Sequence, residues 1–334
     1  MKAVGYQQSL PIDDANSLID IELLKPEASG FDLLVKVDAV SVNPIDTKMR
    51  MRSTPPEGDY AVLGWDAVGI VEAVGEQVSG FAPGDRVWYA GELTRPGTNS
   101  EYHLVDARIV GKAPTCLNDE AAAAMPLTAL TAWEMLFDRF KLNADSTGTL
   151  LIVGAAGGVG SIMIQLAKKL TKLKVIGTAS RSESKNWILQ LGADGVIDHR
   201  KDFVSELNAI GVASVDWVAS LTHTVEHMPQ IVNALTPQGA LGIIDDAEVL
   251  DIMPLKRKSI SIHWELMYTR SLFKTADMAV QGEILNKVAA LIDAGKLVST
   301  HNDTFGKINA SNLKRAHALL EAGQSRGKIV LAGF

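Results

Sequence analysis

Leu150-Leu151-Ile152-Val153-Gly154-Ala155-Ala156-Gly157-Gly158-Val159-Gly160 decides how this chain folds. The opening apolar run suits a strand covered on both faces, and the glycines behind it end the strand in a tight turn. From Val159 to Leu170 apolar residues recur with helical period. Lys168 and Lys169 stand near the end of that run, where cations suit the helix dipole. Read back from Gly160, the pattern G-x-G-x-x-G is met as Ala155-x-Gly157-x-x-Gly160, with alanine in the first place. Between a strand and a helix such a loop cradles the pyrophosphate of a dinucleotide. Gly157 lets the backbone approach the phosphates and Gly160 lets the helix pack on the strand. The backbone through Ala155, Ala156, Gly158 and Val159 completes the cradle at the helix N-terminus.

Downstream, Val175-Ile176-Gly177, Gly195-Val196-Ile197, Val215-Asp216-Trp217-Val218 and Ala240-Leu241-Gly242-Ile243-Ile244 read as further strands with helical segments between them. Thr236-Pro237-Gln238-Gly239 is a stop and turn before the last. Repeated βα units predict a parallel, doubly wound sheet. The second strand ends near Thr178-Ala179-Ser180-Arg181, where an NAD enzyme places an acid against the ribose 2′-hydroxyl. No acid occurs here before Glu183. Ser180 and Arg181 instead offer a hydroxyl and a guanidinium, both suited to a 2′-phosphate, so the expected cofactor is NADPH.

The first third is β-rich. Leu33 to Val40 reads as a half-buried strand, Ala67 to Val74 is an apolar run broken by Gly69, and Phe81-Ala82-Pro83-Gly84-Asp85 is a turn before Arg86-Val87-Trp88-Tyr89. These predict an irregular, barrel-like β domain. Glu120 to Phe137 is helical in composition but interrupted by Pro126. Helices are expected over Asp277 to Ala294 and Ala310 to Ala322, with a closing strand at Lys328-Ile329-Val330-Leu331.

A length of 334 residues favours two domains. The net charge of −7, with only one short basic run at Lys256-Arg257-Lys258, argues against a nucleic-acid partner. Cys116 is the single cysteine, which excludes an intramolecular disulfide and any multi-cysteine metal site and suits a reducing compartment. Met1 to Leu10 lacks the pattern of a secretion signal, and no apolar stretch is long enough to span a membrane. A soluble, cytoplasmic protein with no membrane partner is expected.

Taken together, Ser41-Val42-Asn43-Pro44-Ile45-Asp46-Thr47-Lys48, Leu63-Gly64-Trp65-Asp66-Ala67-Val68-Gly69-Ile70-Val71, Pro83-Gly84-Asp85-Arg86-Val87, Pro126-Leu127-Thr128-Ala129-Leu130-Thr131-Ala132-Trp133, the glycine loop and Ile262-His263-Trp264-Glu265 are similar in order and spacing to the medium-chain dehydrogenase/reductase superfamily. Within it the chain resembles the quinone oxidoreductase-like branch, in particular the zinc-type alcohol dehydrogenase-like group, over essentially its whole length. The resemblance implies an α/β protein: a GroES-like β-rich catalytic domain, 1–124 and 266–334, with an inserted Rossmann doubly wound parallel sheet domain, 125–265, that binds NADPH. It further implies an active site in the cleft with the nicotinamide toward Asn43 and Asp46, and Thr128 near the nicotinamide ribose. Lys328 is expected near the pyrophosphate, Leu221 and Ile244 against the cofactor, and a homodimer formed through the Rossmann sheet near Ser259 to His263.

True alcohol dehydrogenases take catalytic zinc with a Cys where this chain has Asn43, a His where it has Trp65, and a Cys near Pro126, where this chain is apolar. Asn and Trp are not zinc ligands, so no metal site is expected there. His223-Thr224-Val225-Glu226-His227 spells H-x-x-E-H, two His at helical i, i+4 spacing, but the segment is read as a helix start at the edge of the cofactor cleft. His199 is a candidate for the adenosine pocket. The expected reaction is zinc-independent hydride transfer from NADPH to a small carbonyl compound, a quinone or an α,β-unsaturated carbonyl. Asn43, with Lys48, would hold the oxygen where negative charge develops, and solvent would supply the proton. A zinc-dependent alcohol dehydrogenase and an NADPH-binding sensor without turnover stand as alternatives.

Overall fold

The computed structural model describes the whole chain, Met1–Phe334. It divides into two compact units, Met1–Leu130 with Tyr268–Phe334, and Thr131–Met267. The first unit opens with β1 (Lys2–Tyr6), β2 (Ile19–Glu22) and β3 (Asp32–Val42), followed by helix α1 (Pro44–Arg52). Then come β4 (Ala61–Val62), β5 (Asp66–Val74), β6 (Arg86–Tyr89), β7 (Tyr102–Asp106), β8 (Val110–Lys112), α2 (Asp119–Ala123) and α3 (Pro126–Trp133). The expected strands over Leu33–Val40 and Ala67–Val74 are β3 and β5, and the short strand Arg86–Tyr89 is β6. Helix α1 escaped the sequence reading because its mixed charges leave no apolar stripe; Asn43-Pro44, which reads as a turn, is its entry. Pro126 opens α3, where its missing N–H costs nothing.

The second unit runs through β9 (Thr149–Val153), α4 (Gly158–Leu170), β10 (Lys174–Thr178), α5 (Ser182–Gln190), β11 (Gly195–Ile197), α6 (Phe203–Ala209), β12 (Val215–Ser220), α7 (Thr224–Ala234), β13 (Leu235–Ile243) and β14 (Ser261–Trp264). All pairings are parallel and the order is β11-β10-β9-β12-β13-β14. The order reverses between β9 and β12, which makes the crevice beyond their carboxyl ends the ligand-binding place of an open α/β sheet. Leu150 to Val153 is buried throughout, as a strand covered on both faces must be. The turn expected at Thr236–Gly239 lies inside the β13 span. Pairing with β12 skips from Leu235 to Ala240, and Gln238 takes the left-handed φ of 66°.

The chain then returns to the first unit through α8 (Thr269–Leu272), α9 (Val280–Asp293), β15 (His301–Thr304), α10 (Ala310–Glu321) and β16 (Lys328–Ala332). The last strand pairs antiparallel with β3, which also pairs with β5 and β7. Strand β3 is therefore the spine of the seven-stranded sheet β15-β16-β3-β5-β6-β8, with β7 alongside. A second sheet, β2-β1-β4, completes the unit.

Candidate functional site

In the second unit, β9 delivers the chain into the glycine loop. Gly154 carries φ = 81°, a left-handed conformation that glycine adopts without strain. The first-glycine duty of the turn therefore belongs to Gly154, one residue before the Ala155 that the sequence pattern nominates; Ala155 has ordinary backbone and a fully buried methyl. Gly160 is required by packing, because a Cβ there would lie 2.6 Å from the backbone of Ala155. Gly157 is different. A Cβ there would meet only the Gly154 carbonyl oxygen, at 3.5 Å, so nothing in the protein needs glycine at this position. Gly157 is the N-cap of α4 and supplies no capping side chain, and no acid stands in the first turn that follows. The first amides of a helix have no partner within it, so Gly158, Val159 and Gly160 present a partial positive charge with room in front of it. That is a fit for a pyrophosphate.

Around this loop, Leu221 donates its backbone N–H to Val153 O at 3.1 Å and Ile244 donates to Ser220 O at 3.3 Å. Both side chains are partly exposed where the strands end. Thr178 binds the Gly154 N–H through its hydroxyl at 3.1 Å, and Ser180 and Arg181 follow, with Arg181 exposed. The sequence reading missed Arg200. Its guanidinium grips Asp198 at 2.7 and 3.0 Å and lies 3.4 Å from the Ser180 carbonyl, adding a second cation at the end of β10. That ion pair holds the Asp198 carboxyl well below the usual range. Only the pairing of β11 with β10 reveals this closeness, since the two arginines are far apart in sequence.

The first unit gathers a different set. Strand β16 runs against the end of β3, and Ser41 on β3 faces Asp66 on β5, so three strand ends bring Lys328, Asn43 and Asp66 together. Lys328 donates to Val42 O and Asp66 Oδ2, each at 3.0 Å, and to the Asn43 amide oxygen. Asp66 Oδ2 also accepts from Ser41 Oγ and Asn43 Nδ2, both at 2.8 Å, and its other oxygen accepts the Leu127 N–H at 2.7 Å. Asp46, at the third position of α1, accepts the Asn43 N–H at 2.6 Å. Burial pushes the Asp46 carboxyl up to about 7, opposed by the hydrogen bond from Asn43 and the charge of Lys328. The Tyr268 hydroxyl is buried with no hydrogen-bond partner, and burial, then Asp66 and Asp46, keep it protonated.

This geometry revises two expectations. Asn43 is 1% exposed and both ends of its amide are engaged, so it is not a free donor for a substrate oxygen. Lys328 spends its ammonium on three internal acceptors rather than presenting it to a pyrophosphate. Lys48 lines a pocket beside α1 with Pro11, Ile12, Asp13, Met51 and Glu321. Thr128 is buried and donates to Met125 O at 3.1 Å.

The donors do not fit zinc at the place where the family's alcohol dehydrogenases hold it. The Asn43 amide is committed to Lys328 and Asp66, and the Trp65 indole donates to Glu92 O at 3.0 Å. Neither side chain is a zinc ligand. The His-x-x-Glu-His segment fails for another reason. His223 is the left-handed N-cap of α7, with φ = 52°, so it does not share a helix face with His227. No group of three or more His, Cys, Asp or Glu side chains is arranged to hold a metal ion.

Comparison with known proteins agrees with the architecture. Residues 29–115 match the alcohol dehydrogenase GroES-like domain and residues 191–331 the zinc-binding dehydrogenase family. A zinc-type alcohol dehydrogenase-like protein of Staphylococcus epidermidis is 38% identical over 99% of each chain. A Rhizobium etli CFN 42 protein whose name carries the zinc-dependent alcohol dehydrogenase label superposes with a TM-score of 0.96 at 52% identity, over 100% of this chain and 98% of that one. Escherichia coli quinone oxidoreductase, solved with NADPH, superposes with a TM-score of 0.84 at 26% identity, over 99% and 100%. With its parallel nucleotide-type sheet, its GroES-like unit and these relatives, the chain belongs to the medium-chain dehydrogenase/reductase superfamily, in its quinone oxidoreductase-like branch.

Proposed function

We propose that this chain is a zinc-independent oxidoreductase that binds NADPH on the β9–α4 loop and reduces a quinone or an α,β-unsaturated carbonyl compound. The observation that carries the reading is Gly157, a glycine that nothing inside the protein requires, at the mouth of a helix with no cap and no acid in its first turn. Arg181 and Arg200 supply a positive rim, with the Ser180 hydroxyl beside it, that favours a 2′-phosphate over a free 2′-hydroxyl. When bound, NADPH supplies the hydride.

The Ser41–Asn43–Asp66–Lys328 network acts as a rigid floor. Each of its charged hydrogen bonds fixes the end of β3 and the entry of α1, so Asn43 and Lys328 are positioning residues. Asp46, as buried as Asn43 and bonded to the Asn43 N–H at 2.6 Å, belongs to the same floor, and solvent supplies the proton to the enolate or hydroquinone oxyanion left by hydride addition. The bland alternative, a binding protein without turnover, has no observation in its favour.

The test is cofactor consumption over a panel of quinones and enones, run with NADPH and NADH and with and without a chelator. Oxidation of NADPH that survives the chelator supports the proposal; loss of turnover on chelation, restored by zinc, overturns it. Arg181→Ala should raise the NADPH KM by about tenfold, the value of one lost charge-assisted hydrogen bond, and leave the NADH KM within about twofold. Equal effects on both cofactors would remove Arg181 from the phosphate site.

A further inference from the structure

We infer that His199, His223 and His227 form an imidazole subsite for the 2′-phosphate of the cofactor's adenosine, so that the protein takes up protons as it binds NADPH but not as it binds NADH. The inference rests on the proposed use of NADPH and adds residues that the glycine loop and the β10 terminus do not include.

The three imidazoles come from two segments, the turn after β11 and the start of α7, and His199 and His227 meet between them. His199 follows β11, His223 caps α7, and His227 lies in the first turns of that helix. The rings of His199 and His227 stand edge to face at 5.9 Å between centroids, and Phe203 at the start of α6 packs on His227 at 5.5 Å. Two contacts tie the cluster to the cofactor segments. Arg200, next to His199, reaches the Ser180 carbonyl at 3.4 Å. Thr222, next to His223 and hydrogen-bonded to its Nδ1 at 2.6 Å, lies so close to the glycine turn that a Cβ on Gly154 would come within 2.9 Å of its methyl. Histidines are thus gathered on the side of the crevice where the end of β10 selects the cofactor.

Neighbouring acids do not neutralise them fully. After β11, Asp198 is held by Arg200, and Lys185 on α5 bears on the same carboxylate. After β13, Asp245 is taken by the N–H and hydroxyl of Thr224, at 2.9 and 2.5 Å. On α7, Glu226 stands exposed on the opening turn. Burial lowers the pKa of His199 and His227, and the like charges of the cluster push the same way: His223 and Arg200 on His199, and His199 and His223 on His227. Asp198 acts against this on His199, and Glu226 and Asp245 on His227. A dianion brought among them reverses the balance, and protons are bound with it. The left-handed backbone of His223 is a strained conformation for a residue other than glycine, of the kind that clusters at ligand sites.

The experiment measures dissociation constants of NADPH, NADH and inorganic phosphate by calorimetry between about pH 6.5 and 8.5, a window in which the phosphate stays largely dianionic. On the wild-type protein NADPH should tighten by about tenfold from the upper to the lower limit, and NADH by less than about twofold. His199→Gln and His227→Gln should each cut the NADPH change to about threefold or less and leave NADH unmoved. Should His227→Gln fail to fold, His199→Gln and His223→Asn, both off the core, carry the test. Identical NADPH slopes in wild type and variants, an equally steep slope for NADH, or inorganic phosphate reproducing the whole slope with no preference for the nucleotide overturns the subsite. Tight NADPH binding with no pH dependence overturns the subsite alone, whereas failure to bind either nucleotide overturns the proposed cofactor with it.

Discussion

Lys328 is nearly inaccessible and bonded to an amide, a carboxylate and a carbonyl, so its charge is compensated only by those partners. Lys328→Met keeps the bulk but leaves Asp66 buried opposite a thioether. Loss of one partner of a buried pair costs about 3–5 kcal/mol, and urea denaturation should show a loss of that order. Asp46 gives a pH-dependent counterpart. Its folded pKa, about 7, stands above the unfolded carboxylate value, so the folded state holds the proton more tightly. Its contribution to stability is present in acid, falls as pH rises from about 4 to about 7, and is constant beyond. Asp46→Asn should flatten that part of the stability profile; an unchanged slope would show that the carboxyl is ionised in the folded protein throughout. Asn43 and Asp46 were singled out in the sequence by the family resemblance of the Ser41–Lys48 segment. Their partners were not legible there, because Asp66 and Lys328 reach them only through the pairing of β5 and β16 with β3.

At the scale of elements, the β9–α4 turn separates two glycines with different tasks. Gly160→Ala forces a methyl to 2.6 Å from the Ala155 backbone and should destabilise the protein by about 1–3 kcal/mol, seen as a lower midpoint in thermal or urea unfolding. Gly157→Ala meets no such obstacle. Its midpoint should match the wild type to within about 0.5 kcal/mol while NADPH binding weakens by about tenfold or more. Unaltered NADPH affinity in Gly157→Ala would mean that no phosphate approaches that backbone. The strand–turn–helix pattern was readable from one segment because apolar runs and glycines are local signals. Helix α1 was not, since its mixed charges leave no amphipathic stripe. The His-x-x-Glu-His spacing, read from the sequence as a helix start and not as a metal site, makes no shared helical face, because regular spacing implies one only where the backbone is helical and at His223 it is not.

For the whole molecule, β14 is an edge strand with only β13 beside it. The adjoining Trp264 is 56% exposed and Leu266 48% exposed. The homodimer that the family resemblance implies near Ser259 to His263 would pair two copies across this edge and cover both the open strand and the apolar side chains. Trp264→Glu should shift the mass measured by light scattering from a dimer to a monomer; a monomeric wild type would refute the pairing. No helix is long and apolar enough to cross a membrane.

The sequence by itself determined the βαβ core and the character of both units, because apolar period, turn residues and glycines act within a few neighbours of each other in the chain. It also settled that no cysteine pair or cysteine cluster could stabilise the fold, since Cys116 has no second thiol to join. Tertiary structure alone decided which charges meet. Asp66 with Lys328 and Ser180 with Arg200 are joined by strand pairing, and His199 with His227 by the packing of the turn after β11 against α7, across separations that no local pattern encodes. Burial then fixed their chemistry, raising the proton affinity of Asp46 and lowering that of the histidines, because a charge removed from water depends on the few groups left to solvate it.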